Sequence, residues 1–217
     1  GGTAVHRVPS TPSDPGAAIV DGLQSVGIPF SDIKMFSHGT TVGTNALITR
    51  NFPRAALITT RGFRDILEIR DTTRTDLWDA YKDMPAAYIP RRDRFEIDER
   101  LAYDGTVLKA LDEREVVEVA RIIRRRGITT VAVCLFNSYV DGTHERMVRD
   151  ILVRELPDAL VSISTDVLPE MFEFPRTSTI VTNAVLAPVV GTYMRRLSAR
   201  MRDGGFEGNV LVLHSGG

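Results

Sequence analysis

The stretch LDEREVVEVARIIRRRGITTVAVCLF, residues 111–136, decides the fold. Asp112 is predicted to cap a helix, with Glu115 three residues later as its capping-box partner. Gly127 ends this helix, and Thr129 to Phe136 is an apolar run typical of a buried strand. A helix followed directly by a buried strand is the repeating unit of a parallel α/β sheet. The apolar residues of the helix recur at helical spacing and form one face, namely Val116, Val119, Ala120 and Ile123.

The same alternation continues towards the end of the chain. An amphipathic helix is predicted over Thr143–Leu156 and a strand over Leu160–Thr165. A long helical run over Thr177–Met201 contains Pro188, which is expected to kink or divide it because proline removes a helical hydrogen bond. Asn209–Leu213 reads as the last strand.

Towards the start of the chain the predicted elements are shorter. Val5–Val8 is interpreted as a short strand, and Ser13 or Asp14 is expected to cap a helix that has Pro15 in its first turn and stops at Gly27. A strand, a helix and a second strand are predicted over Ile33–Ser37, Val42–Thr49 and Ala55–Thr60. The expected class is therefore α/β, with a mixed, largely parallel sheet and flanking helices.

One segment, at about residues 61–110, departs from this alternation and is expected to form an irregular insert within a single region spanning residues 1–217. Its first part is polar and rich in Arg and Asp. Its second part holds Asp104-Gly105 between the strand-like runs Arg94–Leu101 and Val107–Leu111. An Asp-Gly pair in this setting predicts a β-hairpin.

The composition excludes several classes of protein. The 27 basic and 28 acidic side chains give a formal charge of −1, which argues against nucleic acid as a partner. No apolar run approaches the ~20 residues of a membrane span, so no membrane partner is expected. A single cysteine, Cys134, excludes an internal disulfide, and the four histidines lack metal-site spacing, so no metal site is predicted. The chain lacks an apolar signal segment and is expected to be cytoplasmic.

A Gly-flanked polar run, HGTTVGTN at residues 38–45, lies where a strand gives way to a helix. Ligands bind at such carboxyl ends of strands, and exposed backbone N–H groups there attract anions. The candidate substrate-binding residues in this run are His38, Gly39, Thr40, Thr41 and Asn45. The alternative is a tight turn with a threonine N-cap. The run lacks the Gly-Lys-Ser/Thr of a P-loop.

A second polar run, TTRGFRDILE at residues 59–68, also follows a predicted strand. Arg61 and Arg64 could hold a carboxylate or an imide oxygen through their forked donors. Asp65 and Glu68 share a face if the run is helical, and one of them could polarise a water molecule. Arg61, Arg64 and Glu68 are therefore further substrate-binding candidates. The alternative is a solvated, salt-bridged turn.

A third polar run precedes the long helix. Glu170, Glu173 and Arg176 are spaced for one helical face, although Pro175 is expected to interrupt it. The run is either a wall of a site or a capping arrangement with Thr177 as the cap.

Taken in order, these runs resemble the N-terminal region of the hydantoinase A / 5-oxoprolinase family, which includes the related acetone carboxylase subunit. The resemblance covers nearly the whole chain. The segments that carry it are VPSTP (8–12), HGTTVGTNA (38–46), LITTRGFRD (57–65), PRR (90–92), AVC (132–134), HER (144–146), LPE (168–170) and RTST (176–179).

The resemblance implies a fold similar to part of an actin-like, ribonuclease H-like ATPase, in which ATP binds between two lobes. It implies that the parent protein hydrolyses a cyclic amide such as 5-oxoproline or a hydantoin at the expense of ATP. The implied chemistry is phosphorylation of the amide oxygen, after which water opens the ring. ATP and Mg²⁺ are the implied cofactors. The implied partners are a small-molecule cyclic amide and a remaining lobe or companion subunit.

The chain departs from this family in its phosphate loops. The family begins with an Asp-Val-Gly-Gly-Thr-Phe-Thr-Asp loop, whereas here Gly1-Gly2-Thr3 is followed by Ala4-Val5-His6. A second Gly-rich segment would follow His214–Gly217. The chain is therefore expected to be a fragment that is inactive alone, with a catalytic base that no pattern identifies. The apolar run Val210–Leu213 further predicts a homo-oligomer.

Three alternative functions stay open from the sequence. The first is an acetone carboxylase-like subunit. The second is a sugar-kinase-like member of the actin-like superfamily, although no distinctive sugar signature is present. The third is a non-catalytic assembly or binding module of that superfamily.

Overall fold

The computed structural model describes residues 3, 5–9, 15–71, 78–79, 81–82 and 84–213. The chain divides into two compact units, a smaller one formed by Gly1–Thr49 with Val189–Gly217 and a larger one formed by Arg50–Pro188. The predicted helix caps Ser13 and Asp14 lie outside the described residues.

The secondary structure alternates between strands and helices. The helices are α1 Pro15–Ser25, α2 Val42–Thr49, α3 Ile66–Ile69, α4 Glu113–Arg125, α5 Thr143–Glu155, α6 Ser164–Val167 and α7 Glu173–Asp203. The strands are β1 Met35–Gly39, β2 Ala56–Thr60, β3 Arg94–Ile97, β4 Arg100–Leu101, β5 Val107–Lys109, β6 Thr130–Cys134, β7 Leu160–Ile163 and β8 Asn209–Leu213.

A four-stranded parallel sheet in the order β3-β2-β6-β7 forms the centre of the larger unit. The central strands β2 and β6 are buried along their whole length, which explains their unbroken apolar sequence. The predicted face of α4 is confirmed, because Val116, Val119, Ala120 and Ile123 are all buried in the same core cluster as Ile58 and Val133. The predicted α/β class with largely parallel sheets is confirmed.

The segment at residues 61–110 contains the predicted hairpin. Strands β4 and β5 pair antiparallel across a turn in which Gly105 has a φ of 86°, a conformation that favours glycine. The predicted strand Arg94–Leu101 is divided, because Arg94–Ile97 pairs with β2 whereas Arg100–Leu101 pairs with β5. This segment therefore supplies the edge strand of the main sheet as well as the hairpin.

The smaller unit contains the parallel pair β1–β8, with α1, α2 and the last part of α7. Its core is formed by Phe30, Leu197, Met201 and Phe206. The apolar side chains at the end of β8 stay half-exposed, at 45% for Leu211, 48% for Val212 and 52% for Leu213.

Two sequence predictions about secondary structure are wrong, namely the strand at residues 5–8 and the helix interruption at Pro175. Residues 5–9 form no strand among the described residues, since two apolar side chains followed by Pro9 give little sheet-forming drive. Pro188 lies within α7 and does not divide it, and the kink expected at this position stays a prediction. Pro175 does not interrupt the helix either, since it lies in the first turn, where no intrahelical N–H bond is lost.

None of the helices in the described part of the chain combines the length and the apolar character needed to cross a membrane.

Candidate functional site

The carboxyl edge of the main sheet is the place where polar side chains converge. Strand β2 ends at Thr60, β6 is followed by the loop 135–140, and β7 runs into α6 at Ser164. In an open α/β sheet, ligands bind outside the carboxyl ends of the strands. This edge is therefore the candidate functional site of the larger unit.

A buried carboxylate, Glu99, joins two strand ends to α5. The Thr60 hydroxyl donates a hydrogen bond to Glu99 and accepts one of 2.8 Å from the backbone N–H of Phe136. The second carboxylate oxygen of Glu99 lies 2.7 Å from Nδ1 of His144, at the start of α5. All of Thr60, Glu99 and His144 are buried, so the partners satisfy one another in place of water.

A second buried carboxylate, Glu145, connects the ends of β6 and β7. It accepts hydrogen bonds from the backbone N–H groups of Leu135 and Thr165, each 2.9 Å long. It also accepts from the hydroxyls of Ser138 at 2.8 Å, Ser164 at 2.6 Å and Thr165 at 3.0 Å. Five donors fix this carboxylate, which in turn fixes the two loops that carry them.

Arg176, in the first turn of α7, is the cation of this network. Its guanidinium donates to the backbone oxygen of Leu135 at 2.8 Å and to the Ser138 hydroxyl, and it pairs with Glu173. The side chain is fully buried, and its Nε atom has no hydrogen-bond partner among the described residues. The guanidinium also lies over the Tyr139 ring, 5.6 Å from its centre. Within the third polar run, Arg176 is therefore a buried brace that pairs with the half-buried Glu173, whereas Glu170 is exposed. Thr177 lies within the helix rather than capping it.

We name the set formed by the half-buried Glu173 and the buried residues Thr60, Glu99, Ser138, His144, Glu145, Ser164 and Arg176 the polar clamp. It holds the loop 135–140, in which Asn137 adopts the left-handed conformation with a φ of 58°. The Asn137 amide donates to the backbone oxygen of Leu101 at 3.0 Å, which compensates for this conformation.

Aromatic rings lie above the polar clamp at the same edge. Phe63 and Phe136 are stacked, with ring centres 4.5 Å apart. The Arg100 guanidinium lies 5.3 Å from the centre of the Phe63 ring and 5.0 Å from that of Phe136. All three side chains are half-exposed, so they form the solvent-facing rim of the edge.

The predicted ligand residues after β2 make contacts within the protein. Arg61 pairs with Glu115 at 2.6 Å, and it lies 3.7 Å from an oxygen of Asp98. Arg64 donates to the backbone oxygen of Arg91 at 2.9 Å. The third candidate, Glu68, pairs with the buried Arg94. These contacts are the ones expected of the salt-bridged turn that the sequence left as the alternative.

Two further details of this region differ from the sequence interpretation. The Glu115 carboxylate accepts from the backbone N–H of Asp98 at 2.6 Å, so Asp112 caps α4 by itself through the N–H of Arg114 at 2.9 Å. Asp65 forms a two-pronged pair with Arg91 at 2.7 and 3.1 Å. The hydrogen bond from Arg91 lowers the pKa of Asp65, which makes it a weaker base.

The remaining predicted site residues lie in the smaller unit, in and after β1. The Nε2 atom of His38 is 2.6 Å from the Tyr193 hydroxyl, and the ring stacks on Phe36 with centres 5.9 Å apart. Burial lowers the pKa of His38, so the neutral imidazole is favoured at pH 7.

The residues that follow His38 form the start of α2. The Thr40 hydroxyl accepts from the backbone N–H of Val42 at 3.2 Å, as in the N-cap alternative. The Asn45 amide donates to the Thr41 hydroxyl at 3.4 Å. Gly39 faces open space, since a Cβ atom there would meet nothing within 4 Å. The backbone at Gly39 is therefore exposed.

Sequence reasoning missed the polar clamp. His144 has no metal-ligand neighbour at short spacing in the sequence, and its hydrogen-bonding partner Glu99 lies 45 residues away. No local pattern could identify that pair. Cys134 is buried as predicted, and burial raises the pKa of its thiol to about 12. No group of three or more potential ligand side chains among the described residues is placed to hold a metal ion.

Comparison with known proteins connects this geometry to a family. The chain is 35% identical to an uncharacterized protein of Methanocaldococcus jannaschii over 98% of its length, and 31% identical to the caprolactamase subunit alpha of Pseudomonas jessenii over 100%. It is 32% identical to the 5-oxoprolinase of Saccharomyces cerevisiae over 80% of its length. The chain spans about one third of the first two relatives, 32% and 33%.

Two solved structures are also similar to this chain. The crystal structure of the ATP-dependent caprolactamase from Pseudomonas jessenii matches 98% of this chain and 32% of its own, with a TM-score of 0.91 and 31% identity. A nucleotide-free acetone carboxylase structure matches 94% of the chain and 32% of its own, with a TM-score of 0.81 and 22% identity, which shows the shared fold. The family model for the hydantoinase/oxoprolinase N-terminal region matches residues 1–156. The chain therefore belongs to the hydantoinase/oxoprolinase family, whose N-terminal region it carries.

Proposed function

We propose that this chain is the N-terminal region of an ATP-dependent enzyme that hydrolyses a cyclic amide, of the hydantoinase, 5-oxoprolinase or caprolactamase type. The observation that carries the proposal is the match of 98% of the chain to the ATP-dependent caprolactamase at a TM-score of 0.91. The similarity to a 5-oxoprolinase supports the same reaction class. Both names describe the opening of a lactam ring.

In this proposal, the larger unit supplies a rigid edge rather than the reacting groups. The polar clamp fixes the loops after β2, β6 and β7, and rigid supports of this kind preserve the geometry of a site. The rim residues Phe63, Phe136 and Arg100 then form the surface that a substrate or neighbouring segment meets. No side chain of the clamp is assigned a proton-transfer role.

The predicted ligand residues fall into two groups, which differ in whether their side chains already pair with other residues of the larger unit. His38, Gly39, Thr40, Thr41 and Asn45 are proposed to contact a ligand, supported by the open space at Gly39 and by the neutral imidazole of His38.

Arg61, Arg64 and Glu68 are proposed as secondary contacts. Each of them would have to exchange a present intramolecular partner for the ligand.

ATP and Mg²⁺ are proposed as cofactors of the parent protein. The described residues contain no cluster of potential metal ligands and no Gly-rich phosphate loop, so they do not fit Mg-ATP by themselves. We assign no step of the chemistry in this chain to either group. The chain alone is expected to be inactive. The parent protein is proposed to complete the site in an actin-like arrangement of two lobes, and it is proposed to be cytoplasmic.

A companion subunit is proposed as a partner of the parent. Two relatives are named as subunits, the caprolactamase subunit alpha and the acetophenone carboxylase gamma subunit of Aromatoleum aromaticum, which is 27% identical over 98% of this chain. A homo-oligomer is proposed in addition, supported by the exposed apolar end of β8.

The test is ATP hydrolysis by the complete parent protein, purified with any companion subunit. Phosphate release should rise when 5-oxoproline, hydantoin or caprolactam is added, and ring-opened product should form in proportion. Stimulation by none of these cyclic amides contradicts the proposal and favours a non-catalytic module.

A carboxylase subunit is the second candidate, and the similarity to the acetophenone carboxylase gamma subunit favours it. Phosphate release that requires bicarbonate together with a ketone, and that ignores lactams, would select this alternative.

A further inference from the structure

A groove of about 370 Å³ lies on the larger unit, along one face of α7. This volume is within the range of sites for small molecules. None of its lining side chains carries a charge. They are Val167, Ser178, Thr179, Thr182, Asn183 and Leu186.

The sequence of α7 explains why this groove is polar on one side. Residues 178, 182 and 186 recur every four positions, and residues 179 and 183 lie beside them on the same helical face. All five are half-buried. The opposite face is packed into the core through Ile180, Val181, Ala184 and Val185, each at most 2% exposed. The helix is thus held by its apolar face, and the residues that carry its hydroxyl and amide groups line the groove.

The hydrogen bonds of the groove leave donors and acceptors for a ligand. The Asn183 amide donates to the Ser162 hydroxyl at 3.1 Å, which fixes its orientation and leaves its carbonyl oxygen and second N–H. The Thr182 hydroxyl donates to the backbone oxygen of Ser178 at 2.8 Å and can still accept. Within the described chain, the hydroxyls of Ser178 and Thr179 form no hydrogen bond, so both can donate to a ligand.

A lactam complements this set of groups. It presents an N–H donor beside a carbonyl acceptor, and its methylene groups suit the apolar Val167 and Leu186. A carboxylate or a phosphate would find no cation among the lining side chains, and desolvating an unpaired charge is costly. We propose that the groove binds the ring of an uncharged lactam and discriminates against cyclic amides that carry a carboxylate. This inference rests on the proposed function and narrows its substrate class.

Saturation-transfer NMR on the 217-residue chain tests the inference, with 2-piperidone as the neutral lactam and 6-oxopiperidine-2-carboxylate as its charged analogue. Signals should transfer to 2-piperidone and be at least about fivefold weaker for 6-oxopiperidine-2-carboxylate. The variants Thr179→Val and Ser178→Ala each remove a hydroxyl with little change of shape, and each should weaken binding of 2-piperidone about fivefold to tenfold.

Thr192→Val is the matched control, since Thr192 lies on the same helix outside the groove and should leave the signal unchanged. Equal transfer to both ligands overturns the inference, and so do Thr179→Val and Ser178→Ala signals that match the control. If a variant precipitates, amide shift changes in the wild-type chain decide instead, because they must cluster at residues 178–186.

The failure of this inference is distinguishable from the failure of the proposed function. If the parent protein hydrolyses lactams with ATP and Thr179→Val does not affect this activity, the proposed function stands and the inference about the groove is wrong. If the parent is inactive on every cyclic amide while 2-piperidone still binds at α7, the inference about the groove stands and the proposed function is wrong.

Discussion

The Nδ1 atom of His144 lies 2.7 Å from a carboxylate oxygen of Glu99, and both side chains are buried. The pair connects the chain just after β3 to the first turn of α5. The other carboxylate oxygen of Glu99 accepts a hydrogen bond from the Thr60 hydroxyl. A pair of this kind is costly to break, because each partner would leave a polar group buried without a bond.

Replacing His144 by leucine should therefore destabilise the protein. We expect the His144→Leu variant to lose about 3 kcal/mol of the free energy of unfolding, since Glu99 keeps its buried carboxylate and loses a partner. Urea unfolding measures the loss. Glu113→Gln, at an exposed position in α4, is the control and should change stability by less than about 0.5 kcal/mol. A His144→Leu effect as small as the control contradicts the role given to this pair.

Arg176 should be even less tolerant of replacement. Arg176→Met keeps most of the side-chain volume and removes the donors to Leu135 and Ser138 and the partner of Glu173. We expect a loss of about 3 to 5 kcal/mol in urea unfolding. Arg202→Met tests the same substitution at an exposed position of α7 and should be nearly neutral. Similar losses in both variants would argue against a buried brace.

The thiol of Cys134 should resist alkylation while the protein is folded. Burial raises its pKa to about 12, and the thiolate is the reactive form. At pH 8 we expect iodoacetamide to modify the folded chain about a thousandfold more slowly than the urea-unfolded chain. Mass spectrometry follows the label, and Cys134→Ser provides the blank. Comparable rates in the two states would show that the strand opens readily.

The smaller unit should lose stability in mild acid through His38. Burial lowers the pKa of His38 in the folded state, so the unfolded chain binds the proton more readily. Above the pKa of about 6.5 that His38 has in the unfolded chain, this effect does not reduce the free energy of unfolding. The loss of stability grows as the pH falls through that pKa, and it is complete below the pKa of His38 in the folded state. The NMR titration midpoint of His38 should lie below 6.5. His38→Gln should reduce the stability lost between pH 7.5 and 5.5, and an unchanged loss contradicts this assignment.

The end of β8 should promote association. Leu211, Val212 and Leu213 are 45–52% exposed, and contiguous exposed apolar side chains favour contacts between molecules. Light scattering over a concentration series should show species larger than 24.0 kDa, and Leu213→Lys should shift them towards the monomer. Leu108→Lys is the control, at an apolar position that is 66% exposed in the hairpin. A monomer at every concentration excludes this contact.

The periodic part of the fold was accessible from the sequence, and the reason is visible in α4 and β6. Both are continuous elements whose apolar positions are determined by burial on the sheet, so Val116 and Val133 lie in the core cluster as expected. The Asp104-Gly105 turn was accessible because it depends on local backbone geometry alone.

The site was less accessible, because its contacts join residues that are distant in sequence. Glu99 lies 45 residues from its partner His144 in the sequence, and Arg176 lies 41 residues from its partner Leu135. The capping box predicted for Glu115 does not form, for a related reason. The Glu115 carboxylate accepts a hydrogen bond from the backbone N–H of Asp98, which is not part of α4. Local patterns cannot rank such competing partners.

The burial of Glu145 affects how mutational data on this family should be read. A screen for activity would score Glu145 and Arg176 as intolerant, next to the residues that contact substrate. Both are sealed from solvent at 0% exposure, and their substitution would deplete folded protein rather than slow turnover. Soluble yield must therefore be measured alongside activity before either position is counted as part of the chemistry.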